Sequence, residues 1–314
     1  MTGDVIILGA KGRFGRAAVD AFLEAGWRVR ALARDWSGAP PGGREIRVVG
    51  DAFSGASLGE AALGCDVMIN AVNPPYPRWS RDMPRITSAV LAAAKRSGAT
   101  VMIPGNVYNF GAAMPVRLDE ATPQRARHRK GRLRIAMERA YAAAASEGVR
   151  TIILRGGDFF EGVRSGNWFE DHIIARLDQG KVMYPGPLDR VHAWAFLPDM
   201  ARAMAGLAAQ RSRLDAFTRI GFPGYALTGR ELVDGLERVS GRSLVVRSMP
   251  WPLIRVLGLV MPQMREIAEM AYLWRVPHAI DGASLAQLLP EFSPTAFDDA
   301  LRIALNLREA SPAP

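Results

Sequence analysis

The sequence predicts an α/β protein, a doubly wound parallel sheet carrying a smaller, mainly helical C-terminal lobe. Three observations lead there. Up to about residue 155, short apolar runs bounded by turns alternate with stretches of helical apolar spacing. The first run, DVIILGAKGRFG, passes directly into a glycine-rich turn and a helix, the pattern of a strand buried on both faces. Beyond residue 156 the alternation weakens into loop and then helix.

The elements follow in order. After the first strand, GRAAVDAFLEAG has an apolar face of Ala17, Ala18, Ala21, Phe22 and Ala25, with Gly26 as its stop. WRVRALAR is the second strand, IRVVGD the third and CDVMINAV the fourth. PRITSAVLAAAKRSG is a helix and ATVMIPGNVY the fifth strand; GRLRIAMERAYAAAASEG is the helix before a sixth strand, VRTIILRGG. Right-handed crossovers then set the C-terminal strand ends, and the turns after them, along one edge. LTGRELVDGLERVSG is a helix opened by a Thr228–Glu231 capping box and closed by Gly241. These boundaries divide the chain into a nucleotide-binding domain at 1–155, with a segment returning to it at about 190–222, and a substrate lobe from 156–189 and 223–314. The Ser/Pro/Ala tail after Glu309 is expected to be disordered.

Composition narrows the class. With 314 residues, 49% hydrophobic and 23% charged, the chain can bury a large core without staples. Its single cysteine, Cys65, excludes a disulfide framework. The histidines His128, His172, His192 and His278 lie far apart, so no metal site is expected. The N-terminus starts a strand at once and shows no signal segment. WPLIRVLGLVMP is apolar but contains Arg255 and is shorter than the ~20 residues of a membrane span. It reads as a packed helix, with a lipid-touching surface as the alternative. A soluble, cytoplasmic protein is therefore expected. The net charge of +9 favours acidic partners. The arginines are spread along the whole chain, however, and neither zinc-ligand spacing nor an RNA-binding aromatic motif is present, so no nucleic acid is expected.

The strongest local signal is Gly9-Ala10-Lys11-Gly12-Arg13-Phe14-Gly15. Gly9 allows the tight turn, Gly12 lets a pyrophosphate approach the backbone, and Gly15 permits close packing of helix on strand. The helix N-terminus supplies N–H groups for the anion. This is the fingerprint of a Rossmann-type dinucleotide site, with Gly9, Lys11, Gly12, Arg13, Phe14 and Gly15 as cofactor-binding candidates. The second strand ends Ala33-Arg34-Asp35. A guanidinium at Arg34, with Lys11 as a second cation, matches a ribose 2′-phosphate and favours NADP over NAD. Asp35 as a ribose ligand is the alternative. Asp51 is a candidate for the adenine amino group or, alternatively, a turn cap. Ala71, near the end of the fourth strand, and Asn73, just after it, are further cofactor-binding candidates, with Asn73 able to orient a carbonyl or the nicotinamide amide.

These features resemble the extended or atypical branch of the short-chain dehydrogenase/reductase superfamily, which includes sugar-nucleotide epimerases and dehydratases. The resemblance runs from residue 4 to about 250, through Gly50-Asp51, Asp66-Val67, Asn70-Ala71, Val107-Tyr108, Leu154-Arg155 and Leu197-Pro198-Asp199-Met200-Ala201. It implies a tyrosine acid/base with a lysine four residues on. Counting back from Glu138, the family's glutamate after that lysine, puts Arg134 at the lysine position and Lys130 at the tyrosine position. The serine position falls near Pro104-Gly105-Asn106. No tyrosine lies between Tyr108 and Tyr141, so realignment does not restore the pair. The resemblance also implies a homodimer through helices at 84–97 and 131–147.

Three residues remain as catalytic candidates: Lys130, whose pKa neighbouring arginines would depress; Arg134, as a ribose ligand; and Tyr108, as an alternative phenol. Asn106, Phe159, Phe160, Trp168 and His192 are expected to line the substrate site, with His192 also a candidate acid/base and Asp158 a turn acid. The expected function is an NADP-dependent oxidoreductase acting on a small organic molecule with non-standard acid/base residues. A catalytically silent NADP(H)-binding redox sensor and a sugar-nucleotide epimerase/dehydratase-like enzyme are the alternatives. The basic run TPQRARHRKGRLRIAME, with five arginines and one lysine, then becomes a cationic rim beside a phosphate-bearing cofactor.

Overall fold

The computed structural model describes residues 3–39, 42–163 and 166–307; the tail after Glu309 lies outside them. In chain order the strands are β1 (Asp4–Leu8), β2 (Arg28–Ala33), β3 (Ile46–Val49), β4 (Val67–Asn70), β5 (Thr100–Gly105), β6 (Arg117–Leu118) and β7 (Thr151–Arg155). They continue with β8 (Asp158–Phe160), β9 (Lys181–Tyr184), β10 (Val191–Phe196), β11 (Phe217–Gly221), β12 (Tyr225–Thr228), β13 (Val245–Ser248) and β14 (Ala279–Ile280). The helices are α1 (Arg13–Glu24), α2 (Gly55–Ala61), α3 (Trp79–Ser97), α4 (Arg129–Ala144) and α5 (Leu197–Gln210). Those of the C-terminal part are α6 (Gly229–Ser240), α7 (Trp251–Leu257), α8 (Pro262–Glu269), α9 (Ala283–Leu288) and α10 (Phe297–Ala304).

Seven strands make one parallel sheet in the order β11-β7-β5-β4-β1-β2-β3. The seventh, β11, was not distinguished in the sequence. The inner strands β1, β4, β5 and β7 are almost wholly buried, as their unbroken Val/Ile/Leu/Met runs require. One face packs on α2, α3 and α4 through Leu58, Ile86, Val90 and Tyr141, the other on α1 and α5 through Phe22, Met200 and Leu207. The chain winds outward from β1 to β3 and then crosses back to β4. The topological switch therefore falls between β1 and β4, where ligands bind in open α/β sheets.

The smaller body is built on β8, β10 and β12 and on the paired β9 and β13. Phe160, Phe169, Trp194, Trp251 and Trp274 pack in its core. Its α6 has the expected reciprocal capping box between Thr228 and Glu231, and Gly241 ends it at φ 66°. The expected start of α3 at Pro84 is five residues late: the helix begins at Trp79, and Pro84 falls within its first turns. Among the described residues no helix is long and apolar enough to cross a membrane, and no group of three or more metal-ligating side chains converges.

Candidate functional site

Two clefts open over the C-terminal ends of β1, β2, β4 and β5. The outer, of about 320 Å³, is lined by Gly9, Lys11, Leu32, Arg34, Asp35 and Asp51, among others. The inner, of about 600 Å³, takes in Arg13, Phe14, Tyr76, Asn106, Tyr108, Arg134, Asp158, Phe159, Trp168 and His172. Gly12, Ala71, Val72, Asn73, Pro74 and Pro75 line both, so they form one channel across the switch point.

The glycine loop fits a dinucleotide. Gly9 is left-handed at φ 75°, a conformation that costs a side-chain-bearing residue steric energy. A Cβ on Gly15 would lie 2.2 Å from the Gly9 carbonyl oxygen, so only glycine lets α1 approach the β1 turn this closely. A Cβ on Gly12 would meet the same oxygen at 3.0 Å. Arg13 reaches across the channel to Glu161: Nε donates to Oε1 at 2.6 Å and Nη2 to Oε2 at 2.7 Å, with a further bond to the Phe159 carbonyl. Burial alone would lower the Arg13 pKa, but the Glu161 hydrogen bonds and charge raise it.

At the outer mouth Lys11 Nζ donates to Asp35 at 3.2 Å and to the Ser37 carbonyl at 2.9 Å. Ser37, and then Lys11, hold the Asp35 carboxyl below its usual range. Arg34 is exposed on the cleft wall and makes no ion pair among the described residues. Asp51 accepts the Phe53 amide at 3.1 Å, a turn bond, while also lining the cleft.

The inner end departs from the sequence reading in three places. Lys130 does not line the cavity. It is 1% exposed, with Nζ 2.5 Å from Glu266 Oε2 and 3.1 Å from Glu269 Oε2, and its backbone amide also donates to Glu269. The sequence placed it by spacing alone. The two carboxylates that claim it come from α8, in a part of the chain that spacing could not bring near. Phe160, expected on the wall, points into the lobe core beside Phe169, Trp194 and Phe196, because side chains alternate along β8 and Phe159 takes the cavity side. His192 is 2% exposed and lies behind the wall: Nε2 is 3.0 Å from Asp158 Oδ2, and the ring stacks on Trp274 at 4.2 Å. Asp158 is the member of that pair that faces the cavity.

Arg134, one turn beyond Lys130, does line the cavity. Its guanidinium lies 4.8 Å over the Trp79 ring, Nε is buried without a hydrogen-bond partner, and no carboxylate pairs with it among the described residues. Burial lowers its pKa. Beside it the Tyr108 hydroxyl is 3.1 Å from that of Tyr76. Burial, and then the neighbouring Tyr76, push the Tyr108 phenol well above its ordinary value, so it is a neutral hydrogen-bond donor at physiological pH. Asn106 caps the turn that presents Tyr108, accepting its amide at 3.1 Å. That turn is fixed from behind by Arg155, which donates to Glu138 and to the Asn106 carbonyl.

Tyr76, Trp79, Asn167, Asp171, His172, Glu266 and Met270 also form the wall and were missed. The phrase NPPYPRW after β4 carried a signal for the first two: prolines and aromatics directly after a strand end at the switch point.

The family model described as NAD(P)H-binding matches residues 9–169, just over half of the chain. The chain belongs to this NAD(P)H-binding family. At the level of sequence, no curated protein matches it. Its fold is shared with MoeE5, solved with UDP-glucose and NAD, at a TM-score of 0.75 and 19% identity over 97% of this chain and 98% of that one. UDP-glucose 4-epimerase from Brucella ovis, solved with NAD, superposes at 0.76 and 17% identity over 97% and 98%. UDP-N-acetylglucosamine 4-epimerase from Bacillus cereus does so at 0.75 and 14% over 98% and 100%. The likeness to these epimerases is thus one of fold, and the family model shows NAD(P)H binding over residues 9–169.

Proposed function

We propose that the protein is an NADP(H)-dependent oxidoreductase that reduces a small, polarised organic acceptor with a carbonyl or conjugated carbonyl group. The observation that carries this reading is Arg134, a guanidinium on the cavity wall with no carboxylate paired to it among the described residues. A fixed positive charge in a desolvated site favours negative charge developing on a substrate oxygen and disfavours a cationic iminium. In the hydrogen-bonded Tyr76–Tyr108 hydroxyl pair one O–H is left over, which would donate toward the same oxygen. Asp158, backed by His192, is the group positioned to exchange a proton with the cavity. Lys130 has no part in this scheme.

Gly9, Gly12, Gly15 and the α1 N-terminus would hold the pyrophosphate, with Phe14, Ala71 and Asn73 along the channel and Arg13 over it. Arg34 and Lys11 would take a 2′-phosphate, which supports NADP over NAD, and Asp51, on the outer cleft, would take the adenine amino group. The bound cofactor supplies the hydride. Asn106, Phe159 and Trp168 would shape the substrate end. A homodimer through α3 and α4 belongs to the same reading; a groove of about 440 Å³ lies between them, lined by Met83, Leu91, Leu133 and Met137.

The test is NADPH and NADH oxidation against panels of aldehydes, ketones, enones and preformed iminium ions. Turnover of a carbonyl or enone, faster with NADPH, is the expected result. Turnover confined to iminium ions would overturn the role given to Arg134. A silent NADP(H)-binding sensor is the second reading. It is favoured by the commitment of Lys130 to lobe docking, and tight NADPH binding with no oxidation on any panel would establish it.

A further inference from the structure

We infer that the α7–α8 hairpin is a docking surface for an anionic lipid bilayer. This goes beyond the reading of the cavity and does not depend on it. A surface helix ordinarily turns one apolar face inward and a polar face outward. In α7 both faces are apolar. Trp251 and Ile254 are buried, and the Trp251 indole donates to the Pro185 carbonyl at 2.6 Å, which fixes the helix on the lobe. On the opposite side Leu253 and Val256 are exposed, and the turn that follows presents Leu259 and Val260 at 84% and 79% exposure, with Met261 beside them. Side chains of this size at a loop tip, contiguous with an apolar helix face, mark an interaction surface rather than scattered surface leucines.

The charge around the patch selects the partner. Residues 245–265 contain Arg247, Arg255 and Arg265 and no acidic residue, on a chain of net charge +9. All three arginines are exposed. Exposed apolar side chains on a segment whose charged residues are all arginines fit the boundary between headgroups and acyl chains, where the apolar residues leave water and the guanidinium groups meet phosphate. A protein partner would have to combine an apolar socket with an acidic rim. A bilayer containing anionic phospholipid has both without any specific shape. Segment 245–265 is broken into β13, α7 and α8, and no helix among the described residues is long and apolar enough to span, so the protein would lie on the surface. Docking would also bring the cavity close to the bilayer, because α8 and the turn after it supply Glu266, Ile267 and Met270 to the cavity wall.

The experiment is co-sedimentation of the full chain with vesicles of phosphatidylcholine alone or mixed with phosphatidylglycerol, alongside size-exclusion chromatography without lipid. The full chain is expected to pellet with the mixed vesicles. The double variant Leu259→Glu/Val260→Glu should lose about tenfold or more of that binding. Arg255→Gln/Arg265→Gln should lose several-fold, in proportion to the anionic lipid fraction. Unchanged circular dichroism and NADPH affinity in both variants would confirm intact folds. The inference is overturned if the wild type stays in the supernatant, or if the glutamate variant binds vesicles as well as the wild type does. It is also overturned if the wild type is an oligomer without lipid that the glutamate variant dissociates, because the patch is then a protein interface.

Discussion

The two sides of α4 put the same chemistry to opposite uses. On the side facing the lobe, Lys130 is enclosed by Glu266 and Glu269, and Arg129 adds a second contact to Glu266. On the side facing the channel, one turn later, Arg134 is only half-buried, lying over the Trp79 ring with no carboxylate paired to it among the described residues. A buried cation with two carboxylates is a structural clasp. A half-buried cation on a cavity wall without one is a charge held in reserve for something that enters. The basic run in the sequence is therefore two devices on one helix, one joining the lobe to the sheet and the other furnishing the cavity.

The largest expected effect tests the clasp. Lys130→Met leaves the buried Glu266 and half-buried Glu269 with only the partly exposed Arg129 beside them and should cost about 3–5 kcal/mol in urea unfolding. Adding Glu269→Gln to that variant should recover part of the loss. Arg134→Met should do the reverse, leaving stability unchanged or higher while turnover falls about 10²-fold or more. Equal destabilisation by the two substitutions would break the comparison.

Acid sharpens it on the lobe side. Burial, and then the neighbouring His192, lower the His278 pKa from 6.5 to about 3. The unfolded chain therefore takes up a proton near pH 6.5 that the folded chain refuses. The stability this gives is fully present above 6.5 and is lost as pH falls toward the folded value. Between pH 6.5 and about 5 the loss should reach about 2 kcal/mol, and His278→Phe should flatten that part of the profile. Glu269 acts in a lower window. Its burial raises its pKa, but the Lys130 amide and charge outweigh that and hold it below 4.5. Its contribution is present above 4.5 and is lost only as pH falls further, so Lys130→Met should alter the profile below 4.5 and leave the His278 region alone. The smallest effect lies at the far end of the channel: Arg34→Ala should weaken NADPH binding about tenfold in a fluorescence titration and leave NADH unchanged. Equal losses for both would remove the 2′-phosphate from the account.

Legibility followed range. Gly9, Gly12 and Gly15 could be read because strand, turn and helix are contiguous in sequence, and their backbone roles need no distant partner. The alternation of strands and helices up to β7 was likewise within reach, whereas β11, at the sheet edge beside β7, was not distinguished. The fates of Lys130 and Arg134 were not, because they depend on carboxylates more than a hundred residues away. Nothing in the spacing of α4 distinguishes the cation that meets them from the one that does not. Phe159 and Phe160 show a finer failure. Strand alternation alone puts them on opposite faces, but which faces the cavity is decided by the register of β8 on β10, where Phe160 pairs with Phe196. Tyr76 and Trp79 sit on a connection whose course depends on how α3 packs.

The Arg13–Glu161 bridge ties the glycine loop to the strand end that also carries Phe159. Loop and wall therefore share one mechanical coordinate. Anything that draws Arg13 toward a bound anion loosens Glu161 and, with it, the Phe159 carbonyl that the same guanidinium holds. Thermodynamic reciprocity then requires that a molecule resting against Phe159 change the affinity at the loop by the same factor that a ligand at the loop changes its own.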